Sequence, residues 1–415
     1  MRKAILLVFF LLSIIACEQD DKNNNSDDSV LIKGKIGTGS KGNREGNLGS
    51  KGGSLSDAAK VVVFTGERYT VADIENNLFS VDAPVGSATA LIFVDPNNQY
   101  IGNLSISGLN ILPLVNLSDG GNTVIDLSTL TLYETSVIPA NNPIGKEIMI
   151  NDDDIKMLKE IGSYYESIAK NMDSDNDGIL DYFSGKQVVV NSGFTVNGGK
   201  AGLNSTPPVR IDTTQLEIGY GVRISGWKTI VPPTLNISLA GPECNPHPDI
   251  VKAGYQYNDN CECFNAFFMR QTQGQPTGSQ MHPFSKGIYT FSMDGINNHT
   301  LSYSSLSAKY FLLLAVPVIL TNAEGIITRV EIEYMLPDGT PVDHSKYITT
   351  LMIQFKNTET QTLNQEGSIF DTMNKLPDFE NVSISSRMNI NDITHIDIGY
   401  TDLVGNIYTI SWYKP

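Results

Sequence analysis

Alternation of apolar and polar residues over short stretches is the pattern that most constrains this chain of 415 residues. The stretch "RVEIEY" places Val330, Ile332 and Tyr334 on one face and charged residues on the other, and "THIDIGY" and "YTISW" repeat the pattern. A period of two predicts half-buried β-strands, because successive side chains of a strand point to opposite faces of a sheet. The sequence therefore predicts antiparallel sheets with one core face and one solvated face.

The length exceeds that of a typical domain, so we expect several domains. Most of the chain reads as strands, and one helical segment separates two strand-rich parts. The predicted organisation is a signal peptide at 1–16, a tether at 17–29, a β-sandwich at 30–137, a helix with an acidic loop at 138–184, a β-rich segment containing cysteines at 185–295 and a second sandwich at 296–415.

The amino terminus has the composition of an export signal. Arg2 and Lys3 precede an apolar run that is shorter than the roughly 20 residues needed to span a bilayer. The run ends in Ile14-Ile15-Ala16-Cys17, which resembles the lipobox of bacterial lipoproteins. This resemblance implies that Cys17 is acylated and anchors the chain in a lipid bilayer. The alternative is an ordinary cleaved signal that carries an incidental cysteine.

The residues after Cys17 are polar and acidic, beginning with "EQDD". Such a composition predicts a disordered tether, because it offers too little apolar surface to bury. The acidic cluster resembles the export signal of Bacteroidetes-type lipoproteins. This resemblance implies a lipid-anchored protein on the outer face of the bacterial outer membrane.

The charge of the chain limits its partners. The net charge is −16, and removal of Arg2 and Lys3 with the signal leaves 27 basic against 45 acidic residues, or −18. An acidic chain does not favour nucleic acid, whose phosphates require a basic surface. We therefore expect the partners to be the bilayer, through acylated Cys17, and an unidentified extracellular protein or glycan.

The first strand-rich part contains "KVVVFTG", "NLFSVDAPVG" and "SATALIFVD" in this order. The series resembles the transthyretin-like, carboxypeptidase-regulatory sandwich of exported bacterial proteins, which implies a non-catalytic β-sandwich. The alternating strands of 296–415 predict an immunoglobulin-like sandwich. The predicted fold is therefore mostly β, with several antiparallel sandwiches, one linking helix and a calcium loop.

One segment has helical periodicity. The run Asn151-Asp152-Asp153-Asp154 is a suitable helix start, because its side chains can cap free N–H groups and match the helix dipole. Apolar residues then recur at steps of three and four to about residue 171: Ile155, Leu158, Ile161, Tyr165, Ile168 and Met172.

The helix leads into "DSDNDGILD", where carboxylates alternate along the chain. Alternating oxygen ligands suit Ca²⁺, which takes six to eight of them. The loop resembles the calcium repeats of thrombospondin type 3 and dockerin modules. It departs from the EF-hand at the twelfth position, where Ser184 replaces a glutamate, and this favours a structural ion. The alternative is a solvated acidic turn. The predicted ligands are Asp173, Asp175, Asp177, the Ile179 carbonyl and Asp181.

Cysteines other than Cys17 lie at Cys244, Cys261 and Cys263. An exported protein favours a disulfide among them, with one thiol left over. The alternative is a zinc site formed by the three cysteines and His247, which the oxidising compartment disfavours.

The sequence does not indicate a catalytic site. It contains no GxSxG or HExxH motif, and its histidines are scattered. His395 and Asp397 share a strand face, which we expect to be solvated. The leading hypothesis is a non-enzymatic surface lipoprotein that serves binding or adhesion. The alternatives are an extracellular hydrolase with an inter-domain site and a structural subunit of an envelope complex.

Overall fold

The protein is mostly β, which confirms the predicted fold class. The computed structural model of the chain describes residues 29–413 apart from 38–53, 66–68, 120–122, 162–171, 174–176, 185–187, 201–216, 228–236, 241–249, 259–262, 272–286, 294–295, 304–313, 336–339, 343–347, 357–361, 367–380, 385–387 and 404–406. The predicted signal peptide and the predicted tether as far as residue 28 lie outside the described residues.

The first sheet is built from the strands nearest the amino terminus. In the described residues its order is β3-β2-β5-β6-β9-β8-β1-β4, and β7 pairs with β5 at one end. Strand β4 also approaches β2 and β3, so the two ends of the sheet come together. The strands are β1 (Ser29–Ile36), β2 (Lys60–Phe64), β3 (Tyr69–Asp73), β4 (Leu78–Pro84), β5 (Ala88–Val94), β6 (Tyr100–Leu104), β7 (Leu112–Pro113), β8 (Val124–Tyr133) and β9 (Ser136–Pro139).

The core of this sheet follows its sequence pattern. Strand β4 alternates exposed and buried side chains, whereas every residue of β5 is buried. Phe79 of β4 meets Phe93 of β5 edge to face, with ring centroids 5.8 Å apart. Gly34 of β1 pairs with Phe79, and a Cβ atom at Gly34 would lie only 2.7 Å from the Phe79 ring. The glycine is therefore needed because the aromatic ring lies over its backbone.

The helix begins where the sequence predicts. Helix α1 (Asp152–Ile161) starts with reciprocal bonds: the Asp154 amide donates to Asn151 Oδ1 at 2.9 Å, and the Asn151 amide donates to Asp154 Oδ2 at 3.0 Å. This capping box satisfies N–H groups that lack a partner within the helix. Residue 172 is also helical, while the rest of the predicted helix lies at residues 162–171, outside the described part. A short helix, α2 (Asp181–Ser184), follows the acidic loop.

The second half of the chain forms further sheets. An eight-stranded sheet within the described ranges has the order β13-β14-β11-β10-β23-β22-β19-β20. Its strands are β10 (Val188–Lys200), β11 (Glu217–Trp227), β13 (Ile250–Asn258), β14 (Cys263–Gln271), β19 (Ile348–Lys356), β20 (Thr362–Glu366), β22 (His395–Asp402) and β23 (Ile407–Tyr413).

Two smaller sheets accompany it in the part of the chain that the structure describes. One contains β12 (Ile237–Ala240), β15 (Gly287–Met293) and β16 (Ile296–Tyr303), and the other contains β17 (Leu314–Thr321), β18 (Ile327–Met335) and β21 (Asn381–Ser383). Short 3-10 helices lie at Leu55–Asp57 and Ile390–Asp392.

The β17-β18-β21 sheet packs against the carboxyl-terminal strands of the large sheet. The Trp412 indole N–H donates to the Ala315 carbonyl at 2.8 Å, and the Tyr334 ring meets the Tyr400 ring edge to face at 5.7 Å. Tyr400 also stacks on Tyr408, with centroids 4.4 Å apart. These buried aromatic residues form the core between two sheets, which is a sandwich arrangement.

The pairing of distant strands adds features that the sequence pattern did not predict. Most pairings are antiparallel, but among the described strands three are parallel: β1 with β8, β6 with β9 and β10 with β23. The β10–β23 pairing joins strands from both sides of the boundary predicted at residues 295 and 296 into one sheet. Alternation identifies a strand but does not identify its neighbour, and for this reason the sequence did not reveal the shared sheet.

No helix in the described residues combines the length and the apolar composition needed to cross a membrane.

Candidate metal-binding loop

The acidic loop predicted to bind calcium is held in shape by its own carboxylates. Asp173 Oδ1 accepts the Asp177 N–H at 3.1 Å, and Asp173 Oδ2 accepts the Gly178 N–H at 2.8 Å. Asp177 Oδ1 accepts the N–H of Ile179 at 2.7 Å. The carboxylates of Asp173 and Asp177 therefore accept three backbone N–H groups of the loop, and these hydrogen bonds hold it as a compact turn.

Gly178 makes the turn possible. Its φ angle is +88°, a left-handed conformation that side-chain-bearing residues adopt only at a cost. Gly178 is the sixth residue of the loop counted from Asp173, and the chain turns sharply there.

The predicted ligands differ in their surroundings. Asp177 is exposed, Asp173 is half-buried and Asp181 is buried at the start of α2. Ile179 forms an antiparallel bridge with Gln99, and Asp175 lies outside the described residues. Among the described residues, no group of three or more histidine, cysteine, aspartate or glutamate side chains forms a metal cluster. The donor chemistry nevertheless fits Ca²⁺, because aspartate oxygens are the hard ligands that this ion prefers.

The loop is attached to the first sheet by its backbone. The Tyr100 N–H of β6 donates to the Gly178 carbonyl at 2.8 Å, beside the Gln99–Ile179 bridge. Burial raises the pKa of the Tyr100 phenol, and its hydroxyl donates to Asn103 Oδ1 at 2.6 Å. The loop thus extends the start of β6, next to a buried polar contact.

Aromatic side chains after the loop add a second attachment. The Tyr182 ring stacks on Tyr69 of β3, with centroids 5.1 Å apart and planes inclined by 13°. Phe183 meets Tyr182 edge to face at 5.2 Å, and Lys60 Nζ of β2 lies 5.6 Å from the Phe183 ring centroid. Leu180, between these attachments, is fully buried. Two aromatic residues directly after the loop are a visible signal in the sequence, but the sequence pattern did not predict that Tyr182 and Phe183 pack against the first sheet.

The described contacts attach the loop to strands that precede it in the chain. They reach β2, β3 and β6. The physical reason is that Leu180 and the two aromatic rings need apolar cover, and the first sheet provides it.

The predicted cysteine site is only partly described. Cys263 begins β14, where its backbone pairs with Trp227 of β11 and Asn258 of β13. Cys244, Cys261 and His247 lie outside the described residues. The disulfide and the alternative zinc site therefore stay predictions.

The strand face that carries His395 and Asp397 is not solvated. Both side chains are buried, with exposed fractions of 4% and 1%, so this expectation was wrong. Their strand β22 lies between β19 and β23 and not at the edge of the sheet.

No protein-family model matches the chain. No curated protein matches it either.

Proposed function

We propose that the protein is a non-enzymatic, lipid-anchored lipoprotein of the bacterial outer membrane, whose β-sandwich modules bind an extracellular protein or glycan. The observation that carries this proposal is the sequence Ile14-Ile15-Ala16-Cys17, which ends an apolar run and precedes a polar, acidic stretch. The mostly β fold supports it, because sandwich modules present loops and sheet faces to partners on a rigid scaffold.

Metabolic labelling with palmitate tests the anchor. The wild-type chain should incorporate label, and Cys17→Ala should not. Cys244→Ala is the matched control, since it removes a cysteine outside the lipobox and should keep the label. Label retained by Cys17→Ala would refute the anchor.

Protease treatment of intact cells tests surface display. A protein on the outer face should be removed while a periplasmic marker stays intact. Complete protection of the protein, with digestion after the outer membrane is opened, would show that it faces the periplasm.

A structural calcium ion in the acidic loop is the second part of the proposal. The ion is held by Asp173, Asp175, Asp177 and Asp181, with the Ile179 carbonyl. It offsets the repulsion among carboxylates that lie close together, and so stabilises the loop against the first sheet.

Calorimetry of the protein without its signal peptide tests the ion directly. Titration with Ca²⁺ should give a heat of binding with a stoichiometry of one, and Asp177→Ala should abolish it. Asp95→Ala is a suitable control, because Asp95 lies in the turn next to Gln99 and is not a predicted ligand. The absence of any heat with millimolar Ca²⁺ would leave the aspartates as a solvated turn.

A further inference from the structure

A polar cluster is buried on one face of the carboxyl-terminal strands. Strand β19 contributes Gln354 and Lys356, β22 contributes His395 and Asp397, and β23 contributes Ser411. In the strand register Gln354 lies opposite Asp397, Lys356 lies opposite His395, and Asp397 lies opposite Ser411. All five side chains therefore belong to the same face of the sheet, away from the sandwich core.

Lys356 and Asp397 form an ion pair at the centre of this cluster. The Lys356 ammonium donates to Asp397 Oδ2, and the two side chains are only 2% and 1% exposed. Asp397 Oδ1 has no hydrogen-bond partner among the described residues. Placing an ammonium and a carboxylate out of water costs several kcal/mol per ion, and an incompletely bonded carboxylate recovers less of that cost.

We propose that Lys356 and Asp397 condense to form an intramolecular isopeptide bond. The lone pair of the neutral Lys356 Nζ attacks Asp397 Cγ, and one carboxyl oxygen departs as water. Of the two protons that this water carries, one comes from the amine and one from the carboxylic acid. The reaction forms an amide N–C bond, breaks a C–O bond and needs no oxidant or other reactant.

The surroundings of the pair suit this reaction. Proton transfer from Nζ to Oδ2 within the ion pair gives the neutral amine and the carboxylic acid that react. Exclusion of water favours the amide, because the other product is water and because hydrolysis needs water to return. The amide also replaces two buried charges, and it has one oxygen where the carboxylate has two. His395 lies opposite Lys356 in the register and on the same face.

Neighbouring residues hold the two strands in the required register. The Thr394 N–H and the Thr394 hydroxyl both donate to the Lys356 carbonyl, at 2.8 and 3.1 Å. On the opposite face Phe355 and Ile396 pair across the same strands and are fully buried. A bond between Lys356 and Asp397 would therefore connect two fixed strands through residues that lie 41 positions apart in sequence.

Peptide mapping of the full chain, purified in detergent, denatured, reduced and digested with trypsin, tests the proposal. Cleavage after Lys346, Lys375 and Arg387 releases the ranges 347–375 and 388–415 when Lys356 is blocked. In the wild-type protein these two peptides should appear as one linked species, lighter than their sum by one water. The mass of the intact chain is not sufficient, because ring closure at an Asp–Gly sequence such as Asp338-Gly339 also lowers that mass by one water. The loss must therefore be mapped to the linked peptides.

Two controls belong to the same experiment. Lys356→Arg keeps the positive charge and the trypsin site but cannot form this amide, so it should give separate peptides. The exposed pair Lys33–Asp126, with a distance of 3.3 Å, is an internal control that should stay unlinked in the wild-type sample. A wild-type digest with cleavage after Lys356 and no linked species would overturn the proposal, and this result does not depend on whether any variant folds.

Discussion

Strands β4 and β22 have the same alternating sequence pattern but different surroundings. In β4 the polar residues Ser80 and Asp82 are exposed, and Phe79 and Val81 are buried. In β22 the polar residues His395 and Asp397 are buried, and so are the apolar residues Ile396 and Ile398. Strand β4 ends the order of its sheet, whereas β22 lies between two other strands. Alternation therefore identifies the core face of a strand but does not show that the other face is exposed to solvent.

The largest expected effect comes from removing the buried carboxylate of β22, and removal of an exposed carboxylate of β4 serves as the comparison. Asp397→Ala should lower the free energy of unfolding by about 3–5 kcal/mol, because it leaves the Lys356 ammonium buried without its partner. Asp82→Ala, at an exposed position, should change it by about 0.5 kcal/mol or less. Urea denaturation of both variants measures the difference. Similar small effects for the two would mean that the β22 face is solvated after all.

Removal of calcium should affect the first sheet and leave β22 unchanged. If the ion is present at about a hundred times its dissociation constant, chelation should lower the stability of the loop region by about 2.7 kcal/mol. Hydrogen exchange should report this at the Tyr100 amide, whose partner is the Gly178 carbonyl of the loop. Amides of β22 serve as the control.

Asp177→Ala should reproduce the chelated exchange pattern without added chelator. Equal loss of protection in the first sheet and in β22 would contradict a local role for the ion.

The aromatic contact between the loop and β3 is expected to contribute less. Tyr182→Ala should cost about 1 kcal/mol, because it removes the stacking on Tyr69. Tyr133→Ala is the matched control on the same sheet, since that ring is 67% exposed, and it should have little effect. Thermal unfolding followed by near-ultraviolet circular dichroism measures both variants. A larger effect for Tyr133→Ala than for Tyr182→Ala would show that the loop does not depend on this stack.

Local sequence signals predicted local structure well. The capping residues Asn151 and Asp154 placed the start of α1, and the glycine of the acidic loop adopts the left-handed conformation that a sharp turn needs. The residues of β4 alternate between exposed and buried, as the period of two in "NLFSVDAPVG" indicates. These features could be predicted because each depends on residues that lie within a few positions of one another.

Features that join distant segments could not be predicted in this way. The ion pair of Lys356 and Asp397 depends on β19 lying beside β22, and the docking of Tyr182 depends on β3. The hydrophobic pattern does not identify either contact, because many strand registers are compatible with the same pattern. For the same reason the sequence predicted a solvated face where the structure has a buried polar cluster.

The smallest expected effect concerns the exposed ion pair Lys33–Asp126, which has the same chemistry as the buried pair. The Ser128 N–H, which donates to Asp126 at 2.9 Å, and then Lys33 hold the pKa of Asp126 below its ordinary value. Because the folded-state pKa is the lower one, the pair contributes stability above the unfolded-state pKa and loses it as the pH falls through the folded-state value.

Asp126→Asn separates the contribution of the Ser128 hydrogen bond from that of the Lys33 charge. The amide oxygen can still accept the Ser128 N–H, but the negative charge is lost. At neutral pH and low salt this variant should cost about 0.5 kcal/mol or less, since exposed pairs are weak. At 1 M salt, where the Debye length is about 3 Å, the difference from wild type should vanish, and it should also decline as the pH falls through the lowered folded-state pKa of Asp126. The cost of Asp397→Ala should persist in high salt, because counterions do not reach the buried Lys356 ammonium that this variant leaves without a partner. Urea midpoints for both variants at the two salt concentrations make the comparison, and equal salt dependence would contradict the burial of Lys356 and Asp397.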